Sequence, residues 1–223
     1  MVMINMNIKD AISDIKKRLP STVTLVAVSK FKSNGDILEA YSAGQCDFGE
    51  NRPQEFMKKA AELPADIRWH FIGHLQTNKI KMVIEQSHLI HSVDSERLFD
   101  ELNKEALKRG LVKDILLQLY IAKEESKQGL SFEELNTILR KRGGYPALRV
   151  CGLMGMASFV DDMAIVRAEF ANLKQKFEEL KFSEFSNEPH FSILSMGMSG
   201  DYDIAIDQGS TLVRIGSTIF GSR

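Results

Sequence analysis

Two short stretches at the end of the chain decide its reading: Leu194-Ser195-Met196-Gly197-Met198-Ser199-Gly200-Asp201, and then Val213-Arg214-Ile215-Gly216-Ser217-Thr218-Ile219-Phe220-Gly221. Each is an apolar strand segment that runs into a turn of glycine, serine or threonine. Such a turn aims unpaired backbone N–H groups and hydroxyls at one spot, which is what a phosphate needs. Two of them near the C-terminus of a chain that alternates strand and helix predict the phosphate site of a (β/α)8 barrel, formed after its seventh and eighth strands. At the other end of the chain, Lys30 closes the first apolar strand. The expected object is a barrel holding a phosphorylated ligand that this lysine reaches.

Between those ends the pattern is strand, loop, helix, repeated. Strands are predicted at 23–29, 47–50, 68–72, 89–92, 115–121, 149–153, 190–194 and 211–215. Several are continuous apolar runs, as in parallel strands covered on both faces. In the helix predicted at 163–181, Val166, Phe170, Leu173, Phe177 and Leu180 share one face, and Asp161 or Asp162 can cap its start. The helix at 95–109 carries a Leu98, Leu102, Ala106 stripe, with Asp94 or Ser95 as cap and Gly110 just past its end. Ser131 and Glu134 form a capping box for a helix at 131–142, and 10–18 reads as an extra helix before the first strand. The fold expected is α/β, a single TIM barrel with an extra N-terminal helix, one domain over residues 1–223. A doubly wound open sheet is the alternative. It is weakened because Lys30-Phe31-Lys32-Ser33, and no glycine-rich turn, follows the first strand.

The 223 residues, 43% hydrophobic and 26% charged, suffice for one sizeable core. A net charge of −1 without a basic block gives no reason to expect nucleic acid or an anionic membrane as partner. The longest apolar runs are strand-sized, so no segment is expected to span a bilayer. The opening Met1-Val2-Met3-Ile4-Asn5-Met6-Asn7 lacks the basic and apolar regions of a secretory signal. Cys46 and Cys151 lie far apart in apolar segments, which predicts buried free thiols and a cytoplasmic setting.

Strand alternation puts Val26, Val28 and Lys30 on one face. If that face is the barrel interior, Lys30 stands at the mouth above apolar residues, where partial desolvation favours the neutral amine that attacks an aldehyde. Otherwise it is a strand-end lysine reaching solvent. Leu212, Arg214 and Gly216 share a face by the same rule. An interior arginine needs a partner, either a ligand or a barrel glutamate such as Glu50. Gly216 permits close backbone approach, while Ser217 and Thr218 offer hydroxyls. Asn51 and His74 sit at strand ends facing the same mouth. His70 and His74 are about 13 Å apart along a strand, too far to share a metal ion. Trp69 reads as core, and Met154 and Met156 as adaptable packing around the mouth. Thr77 opens the third helix, and Lys127 lies in a polar loop after the fifth strand.

Val28-Ser29-Lys30, Gly49-Glu50-Asn51-Arg52, Trp69-His70-Phe71-Ile72-Gly73-His74-Leu75-Gln76-Thr77-Asn78-Lys79, His91-Ser92-Val93-Asp94, Gly152-Leu153-Met154-Gly155-Met156, the Leu194–Ser199 stretch and Val213-Arg214-Ile215-Gly216 together resemble the pyridoxal phosphate homeostasis proteins of the YggS/PROSC type. The resemblance covers nearly the whole chain, in order. It implies the fold of the alanine racemase N-terminal barrel and pyridoxal 5′-phosphate (PLP) as cofactor. By that resemblance Lys30 forms the Schiff base, and Arg214 faces the pyridine nitrogen. Ser195, Gly216, Ser217 and Ser199 bind the phosphate, Asn51 lines the ring, and Lys127 matches a loop lysine suspected of passing the cofactor onward. Two departures are visible: Phe31-Lys32-Ser33 stands where many relatives have Thr-Lys-Pro, and Gly200-Asp201 where an acidic pair is common.

PLP is a strong electron sink only when its ring nitrogen is protonated, and an arginine does not readily give it that proton. A two-base racemase also needs an acid/base opposite the lysine, which in alanine racemase comes from a second domain. The chain stops at Arg223, just after the phosphate turn, so the other ring face is expected to meet solvent. The leading expectation is therefore a PLP carrier or regulator in vitamin B6 homeostasis, without substantial turnover, a monomer that serves PLP-dependent apoenzymes. The alternatives are a minimal PLP-dependent racemase and a Schiff-base aldolase without PLP. A racemase would need a second base, for which Tyr41, Tyr120, Tyr145 and Tyr202 are the only tyrosines.

Overall fold

The structure, a computed structural model, describes residues 7–122 and 129–221. Eight parallel strands close into a barrel in chain order: β1 (Thr24–Val28), β2 (Asp47–Glu50), β3 (Arg68–Phe71), β4 (Ser87–Val93), β5 (Lys113–Gln118), β6 (Leu148–Met154), β7 (Ile193–Ser195) and β8 (Leu212–Ile215). The first and last strands pair over Thr24↔Leu212 to Ala27↔Ile215. The expected extra helix, α1 (Ile8–Arg18), precedes β1. Outside the barrel lie α2 (Asn34–Ser42), α3 (Pro53–Glu62), α4 (Glu96–Lys108), α5 (Phe132–Lys141), α6 (Met163–Phe182), α7 (Tyr202–Asp207) and α8 (Ser217–Phe220). After β3 the crossover is a 3-10 turn, Thr77–Met82, where the sequence predicted a helix.

The helix starts follow local chemistry. Ser131 and Glu134 close both halves of the capping box on α5, Ser95 accepts from Leu98 N–H on α4, and Asp162 accepts from Ala164 N–H on α6. Strand ends are less legible. Residues 190–192 lie outside β7 because Phe191 is drawn into a stack with Phe185 and Phe177, with ring centroids 4.0 and 5.0 Å away. β5 stops at Gln118, and Leu119 bridges to Leu130 instead.

The apolar core is divided by the sheet. A large cluster fills the layer between barrel and helices, while Val26, Leu89, Leu116, Cys151, Met154 and Leu212 fill part of the barrel interior. The remaining interior is polar: Asp47, His70, His91, Ser195 and Arg214 are all buried there. Among the described residues no helix is long and apolar enough to cross a membrane.

Candidate functional site

A cavity of about 850 Å³ opens at the C-terminal ends of the strands. Lys30, Asn51, Ser199, Arg214, Gly216 and Ser217 line it, so the fold brings six of the seven expected site residues together. They come from the turns after β1, β2, β7 and β8, with Arg214 on β8 itself.

The turn that carries Lys30 is held from behind. Ser29 Oγ donates to Glu50 Oε1 at 2.6 Å, and Lys59 Nζ on α3 donates to Ser29 O, Glu50 Oε1 and Glu55 Oε1 at 2.8, 2.8 and 2.6 Å. Burial pushes the Glu50 carboxyl up, against the hydrogen bonds of Lys59 and Ser29. Phe31 then adopts φ 64°, a left-handed conformation uncommon for an aromatic residue, and its N–H donates to Glu55 Oε1 at 2.7 Å. Lys32 Nζ donates to Phe220 O at 2.8 Å, tying the same turn to the end of α8. The Lys32 ammonium thus has a structural partner.

Arg214 is 4% exposed and donates to Ser195 Oγ at 2.5 Å and Gly155 O at 3.2 Å. Among the described residues no carboxylate forms an ion pair with it. The expected alternative partner, Glu50, is corrected: it points out of the barrel to Lys59, because Asp47, Gly49 and Asn51 take the inward positions of that segment. Burial lowers the guanidinium to about 10, opposed by the charge of Asp201. A buried cation with neutral partners alone leaves positive potential at the cavity floor.

Ser195 departs from its expected place. It is 0% exposed, does not line the cavity, and spends its hydroxyl on Arg214 and on His91 Nδ1 at 3.0 Å. It is an inward residue of β7, one layer below the mouth. The hydroxyl residues lining the cavity are Ser158, whose Oγ is committed to Glu169 Oε1, and Ser199, Ser217 and Thr218. Ser199 Oγ accepts from Gly216 N–H at 3.2 Å, which cross-ties the two turns. A Cβ on Gly216 would press on Val28 O at 3.2 Å, so glycine lets these turns sit close. The first N–H groups of α8 have no helical acceptor. Among the described residues Asn51 Oδ1 has no hydrogen-bond partner and is buried at the cavity, an acceptor that a bound group would satisfy.

Residues 6–223 match the alanine racemase N-terminal domain family. The chain is 40% identical over 200 residues to a pyridoxal phosphate homeostasis protein of Aquifex aeolicus, covering 89% of this chain and 86% of that one. It is 38% identical over 223 residues to its counterpart in Pasteurella multocida, covering 99% and 94%. The chain belongs to the pyridoxal phosphate homeostasis protein family. Its fold matches PipY of Synechococcus elongatus, solved with PLP bound, with TM-score 0.88 and 35% identity over 96% of this chain and 100% of that one. Alanine racemase from Bartonella henselae shares the barrel at TM-score 0.76 and 14% identity, this chain covering 60% of its length.

Within this member of the family the other candidates separate. His74 lines the cavity and pairs with Asp94 Oδ2 at 2.8 Å, whereas His70 is buried and bonded to His91 and Asp47. Trp69 packs against Phe48 and Phe56 in the outer core. Met156 reaches the cavity, while Met154 fills the barrel. Lys127 lies outside the described residues. Tyr202 is buried in the outer core, Tyr41 bonds Asp66, Tyr145 bonds Asp100, and Tyr120 borders a different pocket. Sequence reasoning missed two groups. The Glu55/Lys59 pair was signalled by its i, i+4 spacing on α3, and His91 by falling two residues after Leu89 on an inward strand face.

Proposed function

We propose that this chain binds pyridoxal 5′-phosphate in the cavity at the strand ends and acts in PLP homeostasis as a carrier or regulator, without substantial turnover of its own. The observation that carries the reading is the buried Arg214 guanidinium. Among the described residues its hydrogen-bond partners are neutral, and it lies in the same cavity as Lys30 and the two serine/glycine turns. Family membership and the PLP-bound PipY relative support it. The orphaned Asn51 acceptor and the close turn at Gly216 fit a group with a hydroxyl and a phosphate.

When bound, PLP supplies an aldehyde that condenses reversibly with an amine, a pyridine ring and a phosphate. Lys30 offers the amine. Arg214 offers N–H donors to the ring nitrogen and, as a base that holds its proton, leaves that nitrogen unprotonated. Ser199, Gly216, Ser217 and Thr218 offer hydroxyls and N–H groups to the phosphate, and Asn51 lines the ring. Ser195 acts through Arg214 and not on the phosphate. The tyrosine that a racemase would set opposite the lysine has no counterpart among the cavity-lining residues, and the cavity opens to solvent beside the 95% exposed Phe159. Both features favour uptake and release over sealed chemistry. We further propose a single-domain monomer of the reducing cytoplasm, consistent with two free cysteines, that passes PLP to apoenzymes.

One feature favours the racemase alternative: the His74–Asp94 pair at the mouth has the form of a general base with its orienting carboxylate. Titrating the protein with PLP while following visible absorbance, and assaying alanine racemisation beside an equal concentration of free PLP, tests both readings. The carrier reading expects a saturable band that Lys30→Ala removes, and racemisation no faster than free PLP. Faster racemisation that His74→Gln removes would replace it with the enzyme.

A further inference from the structure

Asp47, His70, His91 and Ser195 are 8, 2, 0 and 0% exposed, and none of them lines the cavity. They point inward from β2, β3, β4 and β7. Hydrogen bonds join them in single file: Asp47 Oδ1 to His70 Nε2 at 3.1 Å, His70 Nδ1 to His91 Nε2 at 2.9 Å, His91 Nδ1 to Ser195 Oγ at 3.0 Å, and Ser195 Oγ to Arg214 at 2.5 Å. At the far end Asp47 also accepts two bonds from Arg68, at 2.7 and 2.5 Å, beside a separate pocket.

The two ends of this file dictate its direction. Asp47 is a carboxylate and can only accept, so His70 Nε2 must carry a proton. A neutral His70 then accepts at Nδ1, which requires a proton on His91 Nε2. A neutral His91 accepts at Nδ1, which takes the Ser195 hydroxyl proton. The Ser195 oxygen is left to accept from Arg214, a group that can only donate. Both ends are met by one arrangement of neutral imidazoles, each protonated at Nε2.

We propose that Asp47, His70, His91 and Ser195 are positioning residues, a one-way hydrogen-bond relay through the barrel interior that holds the Arg214 guanidinium aimed at the cavity. The inference rests on the cofactor reading above for its consequence and on the hydrogen-bond geometry for its existence. Every link is buried, so breaking one leaves a polar group unsatisfied and frees the arginine to turn. A proton added to His70 would reverse the middle bonds: His91 would carry its proton at Nδ1, and the Ser195 hydroxyl would lose its acceptor. The groups facing this pair are Asp47 and the His88 ring, 5.5 Å from His70, on one side, and Arg214 on the other, with Arg68 behind Asp47 and Asp201 beyond Arg214. Burial, the largest cause, together with the neighbouring Arg214 guanidinium, pushes His91 well below its ordinary 6.5, which keeps it neutral.

Two measurements test the relay. Nitrogen NMR of histidine-labelled apo protein near neutral pH should find His70 and His91 both protonated at Nε2 and bare at Nδ1. PLP titrations of His91→Leu and Ser195→Ala should show affinity reduced about tenfold, the worth of one buried hydrogen bond, with borohydride still trapping PLP on Lys30. Ser195→Thr, which keeps the hydroxyl, should restore it. A proton on Nδ1 of either ring overturns the relay, as does PLP affinity within about twofold of wild type in both broken variants. If wild-type protein takes up no PLP, the cofactor reading fails, and the NMR result still decides the relay.

Discussion

Arg214 carries a charge that the fold buries, and among the described residues no carboxylate forms an ion pair with it. Desolvation lowers the guanidinium to about 10, so burial works against the cation. Replacing it by a neutral side chain of similar length separates stability from binding. Arg214→Met should leave the apo Tm unchanged or higher while weakening PLP binding by about 10- to 100-fold, the span of a charge-assisted hydrogen bond. Thermal melts and absorbance titrations on one preparation read both. Asp47 behaves in the opposite sense. Burial would raise its carboxyl, but the hydrogen bonds of His70 and Arg68 outweigh that and hold it at about 2, below the ordinary 3.8. A folded value below the unfolded one stabilises the protein fully above the unfolded value. That contribution, about 2 kcal/mol, is lost as pH falls from about 4 to about 2. Urea unfolding across this window should show the loss in wild type and a flatter profile in Asp47→Asn.

At the scale of elements, the helices were legible from their caps and apolar stripes, because those signals are local. Ser131 and Glu134 are three residues apart and satisfy each other's backbone N–H groups. Ser131→Ala should cost about 1 kcal/mol, a Tm drop of about 2–4 °C, and leave PLP titration unchanged, since α5 contributes nothing to the cavity lining. The strands were legible as apolar runs but not at their ends. Phe191 leaves β7 for a stack with Phe185, a partner that strand periodicity does not encode. The site was legible where it depends on position in the barrel: Lys30 at the end of the first strand, Gly216 and Ser217 after the last. It was illegible where it depends on which face meets which. Glu50 and Asn51 are adjacent, yet one faces Lys59 on α3 and the other the cavity. Ser195 ends β7, a layer deeper than Ser199 in the turn that follows, and only the closed barrel brings His91 to it.

For the whole molecule, closure of the sheet puts every turn that matters at one end and gives the interior two parts, an apolar plug and a polar file leading to Arg214. The plug includes Cys151, whose thiol burial and the charge of Asp114 push up to about 12, whereas Cys46 is partly exposed. A thiol reagent should therefore titrate Cys46 quickly in the native protein and Cys151 only on unfolding. The central claim concerns the other end of the barrel: that PLP is held covalently by Lys30 within the cavity that Arg214 floors. Borohydride reduction of the PLP-treated protein, followed by peptide mass mapping, tests it most directly. The account predicts one phosphopyridoxyl group per chain, on the peptide containing Lys30. Label spread over surface lysines, or none at all, would contradict it.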